Sequence, residues 1–126
     1  MKIFVFGNPL VKKDSLPLKL INSLSKEFPD IEFVELDPSE NMEELGENPI
    51  IIDTVMGIDK VKLITDIGSI QNPPRYSMHD LDLGTHLKLL MGVGLIKSVK
   101  ILGVPDDISE EEALKQLKEL VKKLLQ

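Results

Sequence analysis

The opening stretch, Met1 to Leu24, constrains the fold more than any other part of the chain. An apolar run from Ile3 to Phe6 is too short for a helix and stops at Gly7-Asn8-Pro9. A short polar loop with Asp14 and Ser15 follows, then Pro17 and an apolar helical rhythm. The pattern is strand, turn, helix, which opens an α/β domain. In such folds ligands collect beyond the carboxyl ends of the strands. The loop that carries Asp14 leaves from that end.

The rest of the chain continues the alternation. Ser15 suits an N-cap and Pro17 the first turn of a helix running to about Glu27. Pro17, Leu20, Ile21, Leu24 and Phe28 form its apolar stripe. Ile31 to Leu36 mixes apolar and acidic residues, as an edge or near-edge strand does. Met42 to Leu45 predicts a short helical turn. Ile50-Ile51-Ile52 has no polar alternation and reads as a central strand buried on both faces, with Asp53 as its last residue. Val61 to Thr65 is another strand, and Gln71 to Tyr76 a loop held extended by its prolines. Leu81 to Met91 reads as a helix with Leu83, Leu87 and Leu90 on one face, stopped by Gly92 and Gly94. Ser98 to Val104 is the last strand. Ser109-Glu110-Glu111-Glu112 is a capping box. The helix after it carries Ala113, Leu117, Leu120, Val121 and Leu124 on one side, with Lys122 and Lys123 at its negative end. This order predicts a three-layer αβα sandwich with a mostly parallel sheet of about five strands, one domain over residues 1–126.

Composition narrows the function. The 126-residue chain is 42% hydrophobic and 29% charged, and its longest apolar runs fall well short of the ~20 residues that a membrane span needs. Met1 leads straight into strand-like sequence, which predicts a cytoplasmic protein without a signal peptide. Cysteine is absent, so disulfides, thiolate metal sites and cysteine nucleophiles are excluded together. A net charge of −6, with Arg75 as the only arginine, argues against nucleic acid as the main partner. Lys12-Lys13 reads as a solvated loop.

Three residues are candidates for chemistry. Asp53 follows an apolar strand and is directed to the ligand-binding rim. A carboxylate beside apolar walls needs a hydrogen bond, an opposite charge or a metal. Asp14, taken alone, reads as a helix cap beside Ser15. His79, in Ser77-Met78-His79-Asp80, stands just before a helix, and imidazole is the commonest metal-binding side chain. His86, at the edge of an apolar helix face, reads as structural or partly exposed. Two carboxylates and one imidazole suit a borderline divalent ion with open positions. HExxH, the Walker lysine motif and GxGxxG are all missing. Ser15, Ser39 and Ser77 lie in no nucleophile elbow.

The order and surroundings of these residues resemble the hydrogenase maturation endopeptidases. These enzymes remove a C-terminal extension from the large subunit of nickel-iron hydrogenases. The resemblance rests on Gly7-Asn8-Pro9-Leu10 with Lys13-Asp14, on Asp53 in IIIDTVMG, on His79 before a Leu-rich helix, and on Leu102-Gly103-Val104-Pro105-Asp106. It covers nearly the whole chain in order. It implies that Asp14, Asp53 and His79 are the catalytic, metal-contacting residues. The metal would be nickel already seated in the hydrogenase precursor, though zinc or another divalent ion could occupy the same ligands. Asp37, Pro38 and Ser39 would meet the substrate. The partner would be the hydrogenase large-subunit precursor, with neither nucleic acid nor membrane involved.

The chain departs from the family pattern at defined places. Lys13 stands where the family has the first acid of a pair. Ser15-Leu16-Pro17 replaces glycines, and Asp37-Pro38-Ser39 replaces Asp-Gly-Gly. Prolines restrict the backbone where glycines leave it open. A second reading follows: a non-catalytic relative that binds a metal-loaded partner as an assembly checkpoint. A third, a receiver-like signalling domain, lacks the paired acids after the first strand and the lysine after the last.

Overall fold

The computed structural model describes residues 1–6, 16–36, 42–65, 77–78 and 81–126. Strand β1 (Lys2–Val5) is followed by helix α1 (Leu16–Glu27), strand β2 (Glu32–Glu35) and a 3-10 helix (Met42–Leu45). Strands β3 (Ile50–Met56), β4 (Lys62–Ile64) and β5 (Ser77–Met78) come next. Helix α2 (Leu81–Gly92), strand β6 (Lys100–Pro105) and helix α3 (Glu110–Leu124) complete the order.

The strands run β2-β1-β3-β6-β4 across the sheet, with the two-residue β5 added beside β3. The β1–β2, β1–β3 and β3–β6 pairs are parallel. The edge strand β4 is antiparallel to β6, and β5 is antiparallel to β3. This is the expected mostly parallel sheet. As expected, β2 lies at an edge. There Glu32 and Glu35 are both exposed while Phe33 and Val34 are half-buried.

Side chains alternate across the sheet and create two cores. Ile3, Val5, Ile52, Leu102 and Val104 face α1 and α3, meeting Leu20, Leu24, Ala113, Leu117 and Val121. Phe4, Phe6, Ile51, Val55 and Ile101 face the other way, onto Leu87 of α2 and Leu45 of the 3-10 helix. Helices therefore close both faces, and Ile51 is fully buried, as a strand without a polar side requires.

The helix ends follow local chemistry. Ser109 Oγ accepts from Glu112 N–H at 3.2 Å and caps α3. The Glu112 carboxylate accepts instead from Gln116 Nε2 at 3.0 Å. At the end of α2, Gly94 has φ +83. Gly94 N–H donates to Met91 O at 3.2 Å and Leu95 N–H to Leu90 O at 3.0 Å, the two bonds of a Schellman stop. Gly94 is the terminator, and Gly92 is the helix's last residue.

Candidate functional site

The strand order defines a crevice. From β1 the chain moves outward to β2, then returns to the other flank of β1 as β3. The direction reverses between β1 and β3, the switch point where parallel sheets hold ligands beyond their carboxyl ends. Val5 pairs with Ile52, and Phe6 N–H donates to Ile52 O at 2.9 Å. Asp53 is the next residue of β3, so it stands where β1 runs out.

The structure extends the strand expected to end at Asp53. β3 continues through Thr54, Val55 and Met56, and Asp53 lies in its middle, opposite Gly103. The extension has two causes. The parallel ladder with β6 persists as far as Val55 and Pro105. Beyond β1, Val55 and Met56 pair with Met78 and Ser77. Pro105 flanks Val55 on the β6 side, so β5 occupies the flank that β1 occupies further back. Asp53 and Thr54 fall between the two pairings.

Both residues have a relative exposure of 0%. By alternation Asp53 shares a face with Ile51 and Val55, toward α2, and Thr54 shares one with Ile52 and Val104, toward α1 and α3. Gly103 leaves no side chain beside Asp53, because Val55 leans over it: a Cβ there would meet Val55 Cγ2 at 2.9 Å.

Asp14, His79, Asp37, Pro38 and Ser39 lie outside the described residues, as does the Gln71 to Tyr76 loop. Their sequence neighbours are described. Leu16, two residues after Asp14, begins α1. Met78, just before His79, pairs with Val55. Leu36, just before Asp37, donates its N–H to Val5 O at 3.0 Å. Leu36 and Met78 thus sit against the carboxyl ends of β1 and β3. His86 falls within α2. Among the described residues there is no group of three or more His, Cys, Asp or Glu side chains placed to hold a metal.

Reading the sequence missed Thr54 and β5. Thr54 was visible as a lone hydroxyl in an apolar strand, whereas a two-residue strand leaves no periodic signal. A groove of about 410 Å³ lies elsewhere, between Lys60-Val61 and α3, where Val61 N–H donates to Gln116 Oε1 at 2.7 Å. It contains none of the candidates.

No protein-family model matches the sequence, and neither does any curated protein. The fold does have a solved counterpart, the solution structure of an endopeptidase from Escherichia coli. The two superpose with a TM-score of 0.62 at 18% identity, over 98% of this chain and 94% of that one. The architecture is thus that of the Escherichia coli endopeptidase over nearly the full length of both chains. No helix among the described residues is long and apolar enough to cross a membrane.

Proposed function

We propose that this protein is an endopeptidase that removes the C-terminal extension of a nickel-loaded hydrogenase large-subunit precursor. The observation that carries the reading is Asp53, a buried carboxylate at the switch point between β1 and β3. The shared fold with an endopeptidase supports it. So does the order of Gly7-Asn8-Pro9-Leu10, Asp14, Asp53, His79 and Gly103-Val104-Pro105 along the chain.

The proposed donors, Asp14, Asp53 and His79, fit a nickel- or zinc-like ion by chemistry. A buried carboxylate that has given up its hydration is well matched to a cation. Nickel arrives with the substrate and marks a filled hydrogenase site. When bound, the divalent ion supplies Lewis-acid polarisation of the peptide carbonyl. The chain's own residues do the rest. Asp53, fixed by β6 along one side of its strand, offers a carboxylate in a set orientation. His79 follows β5 and contributes the imidazole. Asp14 is the first candidate for general base by position. Asp37, Pro38 and Ser39, which follow Leu36 in the sequence, would meet the substrate tail.

The test uses purified precursor, with and without nickel, mixed with wild type, Asp53→Asn, His79→Ala and His86→Ala. Binding is read by pull-down and shortening by mass. Wild type and His86→Ala are expected to shorten only the nickel-loaded precursor. Asp53→Asn should leave it intact, and His79→Ala should bind it weakly. Cleavage by Asp53→Asn at the wild-type rate would refute the assignment. Lys13 and Asp37-Pro38-Ser39 favour one other reading, the checkpoint, under which wild type binds the loaded precursor and leaves its length unchanged.

A further inference from the structure

We infer that the groove between Lys60-Val61 and helix α3 is a docking subsite for an acidic, extended segment of the polypeptide substrate. The inference rests on the proposed endopeptidase function, which supplies that substrate. The groove has a volume of about 410 Å³, within the range of ligand-binding clefts. Lys60, Lys115 and Lys123 line it, against Glu112 and Glu119. The whole chain carries a net charge of −6, so the balance of sign is reversed here. Glu112 is already engaged, because its Oε1 accepts from Gln116 Nε2 at 3.0 Å. Among the described residues the ion pairs of α3 run from Lys118 and Lys122 to Glu27. Lys115 and Lys123, one turn either side of Glu119, belong to neither pair. They leave two ammonium groups for a carboxylate partner.

Spacing and position define that partner. Lys115 and Lys123 are two turns apart on α3, ~12 Å along its axis. Residues i and i+4 of an extended peptide are ~13 Å apart and share a face. Two acidic residues at that interval match the two lysines. The groove also offers the backbone a partner. Gln116 Oε1 accepts from Val61 N–H at 2.7 Å, as the carbonyl of a neighbouring strand would. Its Nε2 carries a second hydrogen besides the one given to Glu112, which a peptide carbonyl can accept. Asp53 pairs with Gly103, and Gly103 with Lys62. β4 runs antiparallel to β6, so Val61 and Lys60 lie beyond that row, toward the carboxyl end of β6. The groove is therefore at the same end of the sheet as Asp53, two strands and ~10 Å across. A substrate held at Asp53 reaches it with at least ~3 extended residues.

The experiment measures binding of two blocked, dye-labelled peptides, Glu-Ser-Thr-Ser-Glu and Gln-Ser-Thr-Ser-Gln, to the full chain by fluorescence anisotropy. Wild type is compared with the double variant Lys115→Gln with Lys123→Gln. A second double variant, Lys118→Gln with Lys122→Gln, removes the same charge from α3 outside the groove. Wild type is expected to bind the acidic peptide in preference to the neutral one, and less tightly at high salt. The groove variant should bind it ~2–30-fold more weakly, the loss of two exposed ion pairs, and the second variant as wild type does. Equal affinity in wild type and the groove variant overturns the inference. So does an equal loss in both variants, which would mean general attraction to charge, and so does a wild type that binds neither peptide. Cleavage is scored separately on the nickel-loaded precursor. A wild type that binds the acidic peptide through Lys115 and Lys123 yet leaves the precursor uncut refutes the endopeptidase function while supporting the groove as a peptide site.

Discussion

The two faces of the sheet are closed in different ways. On one, α1 and α3 lie over Ile3, Val5, Ile52, Leu102 and Val104, and Glu27 ties the helices together through Lys118 at 4.0 Å and Lys122 at 3.8 Å. Among the described residues, Thr54 is the one buried polar side chain of that layer. On the other, α2 and the 3-10 helix cover Phe4, Phe6, Ile51, Val55 and Ile101. This second face also carries a buried carboxylate at Asp53 and a missing side chain at Gly103. Leu89 of its helix, and Val93 and Leu95 just beyond the helix end, are exposed. The contrast separates two uses of burial. One face is continuous apolar contact, and the other gives up part of that contact to a buried carboxyl group.

The comparison is broken most directly at Leu117, a fully buried residue of α3. Leu117→Ala should lower the unfolding free energy by about 2–5 kcal/mol in urea denaturation, while each molecule still folded cleaves as wild type does. A loss of specific cleavage would show that the apolar face also shapes the site.

Gly103→Ala tests the other face. The new methyl meets Val55 Cγ2 at 2.9 Å, with Ile58 and Ile64 Cδ1 at 3.3 Å. Overpacking of this kind costs about 1–3 kcal/mol. Because Gly103 pairs with Asp53, cleavage per folded molecule should fall as well. Adding Val55→Ala should recover part of the stability, a coupling that a double-mutant cycle reads.

A smaller effect is expected at the cap of α3. Ser109→Ala removes the acceptor for Glu112 N–H and should cost ~1 kcal/mol, seen as a lower Tm with unchanged cleavage. The smallest concerns the ion pairs between α1 and α3. Glu27→Gln should change stability by only about 0.2–1 kcal/mol, and less at high salt, since each of these side chains is partly open to water. A larger loss would mean that charge, and not apolar contact, holds that face together.

The elements legible in the sequence are those with local signals. α1 and α3 follow from helical periodicity, and the start of α3 from Ser109 reaching its own third neighbour. β3 is recognisable as central from three consecutive isoleucines, and β2 as an edge from its acidic residues. The fold class follows from the alternation of strands and helices. Of the candidate site, the sequence offers residue types and their order, on which the resemblance to the maturation endopeptidases rests, and the structure describes Asp53 alone of the three.

Tertiary structure decided the rest. Asp53 reads locally as a strand end, because an aspartate after three isoleucines ends an apolar run. Pairing with β6 on one side and β5 on the other carries the strand three residues further and buries both Asp53 and Thr54. The reversal of direction between β1 and β3, the antiparallel edge strand β4 and the addition of β5 are likewise set by which strands meet. Such pairings join residues far apart in the chain. Helix signals repeat within one turn and can be read from a single segment. A strand's length and neighbours are fixed by hydrogen bonds to other segments, and these exist only once the sheet has assembled.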